Sequence, residues 1–213
     1  MKENLTEIVF IIDRSGSMGG LEAETIGGYN DFLKKQKAVE GEAIISTVLF
    51  NDYFKVIHNR VDIKKVGYIT NNEYYVGGTT SLYDAIGRSI NHIGDVLSKT
   101  EENERPSKVI FVIITDGMEN TSREFSHPII KKMIDHQKSK YSWEFIFMGA
   151  NFDAEKFAES ISIERDRSVQ YAYSKEGVQS NYFAMDQFVT NVRKNKETDD
   201  SWKKSVKQEK ENE

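Results

Sequence analysis

The stretch Glu7-Ile-Val-Phe-Ile-Ile-Asp-Arg-Ser-Gly-Ser17 decides how this chain is read. Its first part is an unbroken apolar, β-branched and aromatic run, the pattern of a central strand buried on both faces of a sheet. The run stops abruptly at Asp13, and polar, small residues follow, so a loop begins at the strand's carboxyl end. Asp13, Ser15 and Ser17 occupy alternate positions there, and a turning backbone can aim one carboxylate and two hydroxyls at a single point. Hard cations favour such oxygen clusters.

Outward from this stretch, strand and helix patterns alternate. Ile26, Tyr29, Phe32 and Leu33 recur at helical spacing within Leu21 to Lys37, where Gly27 and Gly28 are expected to allow close packing against the sheet. Ala43 to Phe50 and Tyr53 to Asn59 are β-rich runs separated by the turn signal Asn51-Asp52, which predicts a hairpin and one antiparallel edge strand. The glycine-rich loop Gly77 to Ser81 feeds a helix marked by Leu82, Ala85, Ile86, Ile90, Ile93 and Leu97. Lys108 to Ile114 is a second fully apolar strand, ending in Thr115-Asp116-Gly117. Ile129, Ile130, Met133 and Ile134 mark a helix, Trp143 to Met148 a strand, Ala154 to Ile161 a short helix and Ser168 to Tyr173 a last strand. An apolar stripe over Lys175 to Arg193 reads as a closing helix. The reading is therefore α/β: a mostly parallel, doubly wound, Rossmann-like sheet with helices on both faces, whose ligands bind beyond the carboxyl ends of the strands. Asp13, Thr80 and Asp116 fall at that rim.

A chain of 213 residues can bury the core of one ordinary domain, placed here at residues 1–195. Residues 196–213 are mostly charged, with Trp202 and Val206 as the sizeable apolar groups, and read as a frayed helical or disordered tail. The 29 basic and 34 acidic residues are interspersed, giving a net charge of −5, so no footprint for nucleic acid is visible. Ile8 to Ile12 is too short for a signal-peptide core and no segment approaches the roughly 20 apolar residues of a membrane span, so a cytoplasmic protein without membrane partners is expected. With no cysteine, thiolate chemistry and thiolate metal sites are excluded.

Five oxygen-bearing side chains are candidate metal ligands: Asp13, Ser15, Ser17, Thr80 and Asp116. Taken singly, each has a simpler explanation. Asp-x-Ser-x-Ser can be an Asx-turn with serines capping a helix, Thr80 a helix N-cap and Thr-Asp-Gly a tight turn. Their joint appearance, in this order and at strand ends, favours a metal site. The chain resembles von Willebrand factor A domains, whose metal-ion-dependent adhesion site combines an Asp-x-Ser-x-Ser loop with a distant Thr and a distant Asp. Thr115-Asp-Gly-Met-Glu-Asn120 and Trp143-Glu-Phe-Ile-Phe-Met-Gly-Ala-Asn151 resemble the bacterial and phage-associated intracellular branch of that family. The resemblance spans roughly Thr6 to Arg193. It implies that Ser15 and Ser17 bind the metal directly, that Asp13 and Asp116 act largely through waters, and that Thr80 joins or leaves as the site changes state.

The cofactor expected is one divalent cation. Donors that are all oxygen suit Mg²⁺, Mn²⁺ or Ca²⁺ rather than Zn²⁺ or Cu²⁺, with Mg²⁺ first by abundance. The function implied is non-enzymatic: a module that binds a partner protein by taking an Asp or Glu side chain onto the metal. Two competing readings are a Mg²⁺-dependent hydrolase with Asp13 as nucleophile and an assembly protein whose metal ties loops together. Against the first, Ser15 stands where aspartate-based phosphatases place a second Asp. Asp52 reads as a hairpin residue; Glu119 and Asn120 read first as a solvated loop and, in second rank, as outer-shell or partner-facing candidates. The histidines, His58, His92, His127 and His136, lack ligand spacing.

Overall fold

The computed structural model describes residues 1–211. Its strands are β1 (Lys2–Asp13), β2 (Glu42–Phe50), β3 (Phe54–Asp62), β4 (Pro106–Thr115), β5 (Glu144–Gly149) and β6 (Ser168–Gln170). The helices are α1 (Glu22–Ala38), α2 (Leu82–Lys99), α3 (His127–Tyr141), α4 (Ala154–Ser160), α5 (Lys175–Arg193) and α6 (Lys204–Glu211). The strands form one sheet in the order β3-β2-β1-β4-β5-β6. All neighbours are parallel except β3, which runs antiparallel to β2 at the edge, as the Asn51-Asp52 turn predicts.

The continuous apolar run of β1 is explained by a core on each face. Ile8, Phe10 and Ile12 point into a cluster with Tyr29, Phe32 and Phe188 beneath α1 and α5. Val9 and Ile11 point the other way, against Leu82, Ile86, Ile130 and Ile134 of α2 and α3. Each fully buried side chain of this size contributes about 1.5–3 kcal/mol, so neither face can be polar without a compensating partner. Glu7 is the exception that has one. It is fully buried, and its carboxylate accepts from Arg60 Nε at 2.8 Å and Nη2 at 2.9 Å. Arg60 reaches it from an irregularity in the β2–β3 ladder, where its own φ is 51°.

Three details differ from the sequence reading. Gly28 does not admit the sheet: a Cβ there would lie 2.3 Å from the Tyr182 ring, so this glycine lets α5 close onto α1, while Gly27 faces open space. The last strand ends at Gln170 rather than Tyr173, and the chain then turns back toward the carboxyl rim. The segment read as a frayed or disordered tail packs as a 3₁₀ turn over Asp200–Lys203 followed by α6. Trp202 and Val206 are buried there, the Trp202 ring lies 5.4 Å from that of Phe188, and Trp202 Nε1 donates to Asp166 O at 3.0 Å. Lys203 is buried beside them and its Nζ donates to Arg165 O, so a charged residue also helps dock a segment whose composition reads as solvated. Residues 212 and 213 of that segment lie outside the described residues. Among the described residues no helix is long and apolar enough to cross a membrane.

Candidate metal centre

The site forms where the topology diverges. From β1 the chain passes through α1 to β2 on one side, whereas β4 lies against the other side of β1. Loops leaving adjacent parallel strands in opposite directions open a crevice at their carboxyl ends. Asp13 is the last residue of β1, Asp116 follows the last residue of β4, and Thr80 stands just before α2. All five predicted side chains therefore meet at one rim.

Their oxygens are interlinked. Ser15 Oγ and Ser17 Oγ are 3.0 Å apart, and Ser17 Oγ donates to Asp116 Oδ1 at 2.6 Å. A Cβ placed on Gly117 would lie 3.1 Å from both Ser17 Oγ and Thr80 Oγ1, so the threonine joins the group and any side chain at 117 would crowd it. Asp13 Oδ1 accepts from the Ser15 N–H at 2.7 Å, and Oδ2 from the Thr115 hydroxyl at 2.6 Å. Asp116 Oδ2 is buried without any hydrogen-bond partner.

The surrounding backbone is tied down from several sides. Gly16 N–H donates to Gly78 O and Gly77 N–H to Arg14 O, both at 3.0 Å, which joins the Asp13 loop to the Thr80 loop. Gly78 has φ 79°, and a Cβ there would meet the Asp52 carboxylate at 2.3 Å. Asp52 accepts from the Thr79 N–H at 2.7 Å and from its hydroxyl, and Asn51 Nδ2 donates to Gly77 O at 2.6 Å. The hairpin turn is thus also a brace for the loop carrying Thr80. On the other side Thr80 and Asn120 bind reciprocally: Thr80 N–H to Asn120 Oδ1 and Asn120 N–H to Thr80 O, each at 3.0 Å. Tyr74 donates to Asp13 O at 2.9 Å, and the Tyr173 hydroxyl donates to Ser17 O at 2.6 Å and stands 2.8 Å from Gly19 O.

The single-residue alternatives fare unevenly. Thr80 does not cap α2: that helix has Ser81 at its N-cap without a side-chain cap bond, and Glu119 and Ser122 accept from the Tyr83 and Asp84 N–H groups instead. Glu119 is consumed by this bond and by those from Thr121, Ser122 and the Ser122 hydroxyl, so it does not face outward. The histidines stand away from the centre; His58 bonds Thr47 and His92 bonds Asn59. Sequence reasoning missed Thr115, Tyr74, Asn51 and Tyr173. Thr115 adjoins Asp116 and could have been weighed, whereas nothing in the pattern around Tyr173 places its hydroxyl on a loop over 150 positions away.

Electrostatically the centre is short of positive charge. Burial pushes Asp13 up to about 6, against the opposing bonds from Thr115 and Ser15 and with the Asp116 charge adding to the rise. Burial likewise raises Asp116, opposed by the bond from Ser17. Among the described residues no trio of His, Cys, Asp or Glu is grouped to hold a metal. The donor set is instead two carboxylates and three hydroxyls, and it fits a hard octahedral cation on two observations. An ion with bonds of about 2.0–2.1 Å requires neighbouring ligand oxygens about 3 Å apart, which is the Ser15 to Ser17 spacing of 3.0 Å. The bare Asp116 Oδ2 is a buried acceptor that a cation, or water bound to it, would satisfy.

A family model for the von Willebrand factor type A domain matches residues 7–189. Among solved structures, the chain is similar to proximal thread matrix protein 1 from the mussel byssus with a zinc-occupied MIDAS motif. The TM-score is 0.61 at 13% identity, over 88% of this chain and 46% of that one. It is also similar to the manganese-loaded TRAP protein of Plasmodium vivax, with a TM-score of 0.60 at 16% identity over 81% of this chain and 70% of that one. A von Willebrand factor type A protein from Catenulispora acidiphila gives 0.59 at 13% identity, over 89% and 43%. At these identities the likeness is one of fold, and the chain spans less than half the length of the first and third. No curated protein matches the sequence significantly.

Proposed function

The chain belongs to the von Willebrand factor type A family, and from that premise we propose that Asp13, Ser15, Ser17, Thr80 and Asp116 hold one divalent cation through which the protein binds an acidic side chain of a partner protein. The observation that carries the reading is Asp116 Oδ2, a buried and unpartnered carboxylate oxygen beside three gathered hydroxyls. Neutral hydroxyl donors leave much of an ion's charge uncompensated, and that residual charge is what an incoming Asp or Glu completes. The zinc and manganese named for two similar structures accord with a divalent ion, and Mg²⁺ is our choice among them on donor chemistry and abundance.

Each residue has a distinct task. Ser15 and Ser17 present hydroxyls from a loop held at the distance the ion needs. Asp13 orients that loop through the Ser15 N–H and is itself fixed by Thr115. Asp116 orients Ser17, and Thr80 is carried by a loop braced from Asp52 and Asn120. The non-enzymatic reading is supported by Ser15 at the position where a catalytic second aspartate would stand.

Isothermal titration of the purified protein with Mg²⁺ or Mn²⁺ should give one site, absent in Asp13→Ala. Capture of a partner from lysate should require the metal, fail with chelator and fail with Asp116→Ala. Unaltered metal affinity in Asp13→Ala would sink the assignment, and metal-dependent turnover of a generic phosphoester, lost in Asp13→Asn, would revive the hydrolase.

A further inference from the structure

Arg14 stands between Asp13 and Ser15, and the proposed site gives it no task. It is 4% exposed, and its Nε and Nη1 are buried without hydrogen-bond partners. None of the ion pairs among the described residues includes it. Its backbone is pinned by Arg14 N–H to Phe50 O at 2.8 Å and by Gly77 N–H to Arg14 O at 3.0 Å, on the β2 flank of the loop and across from Asp116 on the β4 flank. The guanidinium lies 4.7 Å from the centroid of Tyr75, whose residue is 53% exposed. A cation–π contact offsets part of the cost of burying this charge and leaves Nε and Nη1 unmet. The guanidinium fork is also the side chain best matched to a carboxylate.

The rim around it has the composition of a contact surface. Tyr53, on the turn after β2, is 72% exposed, and Met118, two residues past Asp116, is 61% exposed. With Arg14 and Tyr75 they supply the residue types enriched at the energetic centres of protein interfaces. The rim therefore holds two separate attractions for negative charge, the metal centre and the arginine buried beneath Tyr75, with Tyr53 and Met118 exposed on neighbouring loops.

We propose that Arg14 is a second anion anchor of this surface, so that the partner presents an acidic segment with two carboxylates, one for the cation and one for the Arg14 guanidinium beneath Tyr75. This rests on the metal reading for the first carboxylate and on Arg14 alone for the second. The arginine's charge repels the cation while attracting the partner, so removing it acts with opposite signs on the two ligands.

The test uses two N-acetylated peptide amides of equal length, one with a single glutamate and one with two. With Mg²⁺ present, the wild-type protein should bind the two-glutamate peptide roughly tenfold more tightly, as one added charge-assisted contact implies. Arg14→Gln should abolish that preference while binding Mg²⁺ at least as tightly as wild type. A preference that survives in Arg14→Gln overturns the proposal, as does a folded Arg14→Gln with weakened Mg²⁺ binding. Should the variant not fold, the wild-type protein decides: its Arg14 Nε–H resonance should shift saturably with the two-glutamate peptide, and an unmoved resonance at saturation overturns the anchor. A Mg²⁺ titration without peptide separates the two claims: no Mg²⁺ binding would remove the metal reading, while the Arg14 resonance, followed against the peptide in chelator, still reports on the second carboxylate.

Discussion

Glu7 and Asp13 are both fully buried carboxylates on β1, and the fold treats them in opposite ways. Glu7 sits mid-strand and receives two charge-assisted hydrogen bonds from one guanidinium. Asp13 ends the strand with a backbone N–H and a threonine hydroxyl, and no cation, although Arg14 is its chain neighbour. Asp116 across the crevice keeps an oxygen bare. At Glu7, whose part is structural, the chain supplies the counter-charge from within. At the rim it leaves two carboxylates without a counter-charge and an arginine with unmet donors, and that shortfall distinguishes a place built to receive charge from one built to hide it.

Breaking the satisfied pair should have the largest effect. Arg60→Met strands a buried carboxylate and should cost about 3–5 kcal/mol at neutral pH, toward the lower end because the Arg60 side chain keeps some solvent contact. The pH dependence has a definite sign. Burial raises the Glu7 pKa even with Arg60 in place, so between the unfolded and native values the native state binds protons that the unfolded state has released. Stability then falls as pH rises from the unfolded carboxylate's value through the raised native one. Without Arg60 that window widens, and the deficit should be full above it and shrink as the solution is acidified. Urea melts of both proteins at pH 7 and pH 5 measure this; a loss equal at both pH values would mean that Glu7 is not the group left stranded.

Removing the charge of Asp13, which has hydrogen bonds but no cationic partner, should instead separate stability from binding. Asp13→Asn removes a buried charge that lacks a cationic partner, so in chelator it should leave the protein as stable as wild type or about 1 kcal/mol more so. Its affinity for Mn²⁺ should fall on the order of a hundredfold. Thermal melts in chelator and in Mn²⁺ read both quantities on one sample: wild type should gain stability from the ion and the variant little. A variant destabilised in chelator would place Asp13 with Glu7, as a structural group.

The contrast also explains what could be read from the sequence. β1, β4 and the helices were legible because both faces of the sheet are covered, which forces unbroken apolar runs and helical stripes. The convergence of the five rim residues was legible because each lies a short way past an apolar run or a glycine pair, and short-range pattern locates such places. The Glu7–Arg60 pair was not, since a single acid inside a strand gives no sign of the edge-strand arginine that answers it. Trp202 and Val206 were masked for a related reason: their docking depends on Phe188 and Asp166, supplied by distant elements, while local composition is dominated by charge. Partners remote in sequence leave no periodicity to detect.

Tyr173 tests whether such a remote partner can tune the rim, with the smallest effect expected. Its hydroxyl is the one group from the β6–α5 connection shown reaching the Asp13–Ser17 loop, and it does so through carbonyl oxygens rather than through any proposed ligand. Tyr173→Phe removes a hydrogen bond from a half-exposed position, where water can replace the donor, so the stability loss should stay near the low end of about 0.5–1.5 kcal/mol. The Ser17 carbonyl is held on the same residue that presents its hydroxyl to Asp116. Loosening it widens the range of Ser15 to Ser17 spacings, and the divalent affinity should weaken severalfold, about as much as the lost hydrogen bond itself. Mn²⁺ titration of the variant, beside a urea melt in chelator, compares the two losses. An affinity loss with little stability change would mark Tyr173 as a positioning residue for the rim; a stability loss with unchanged affinity would make it one more internal tie, like Arg60.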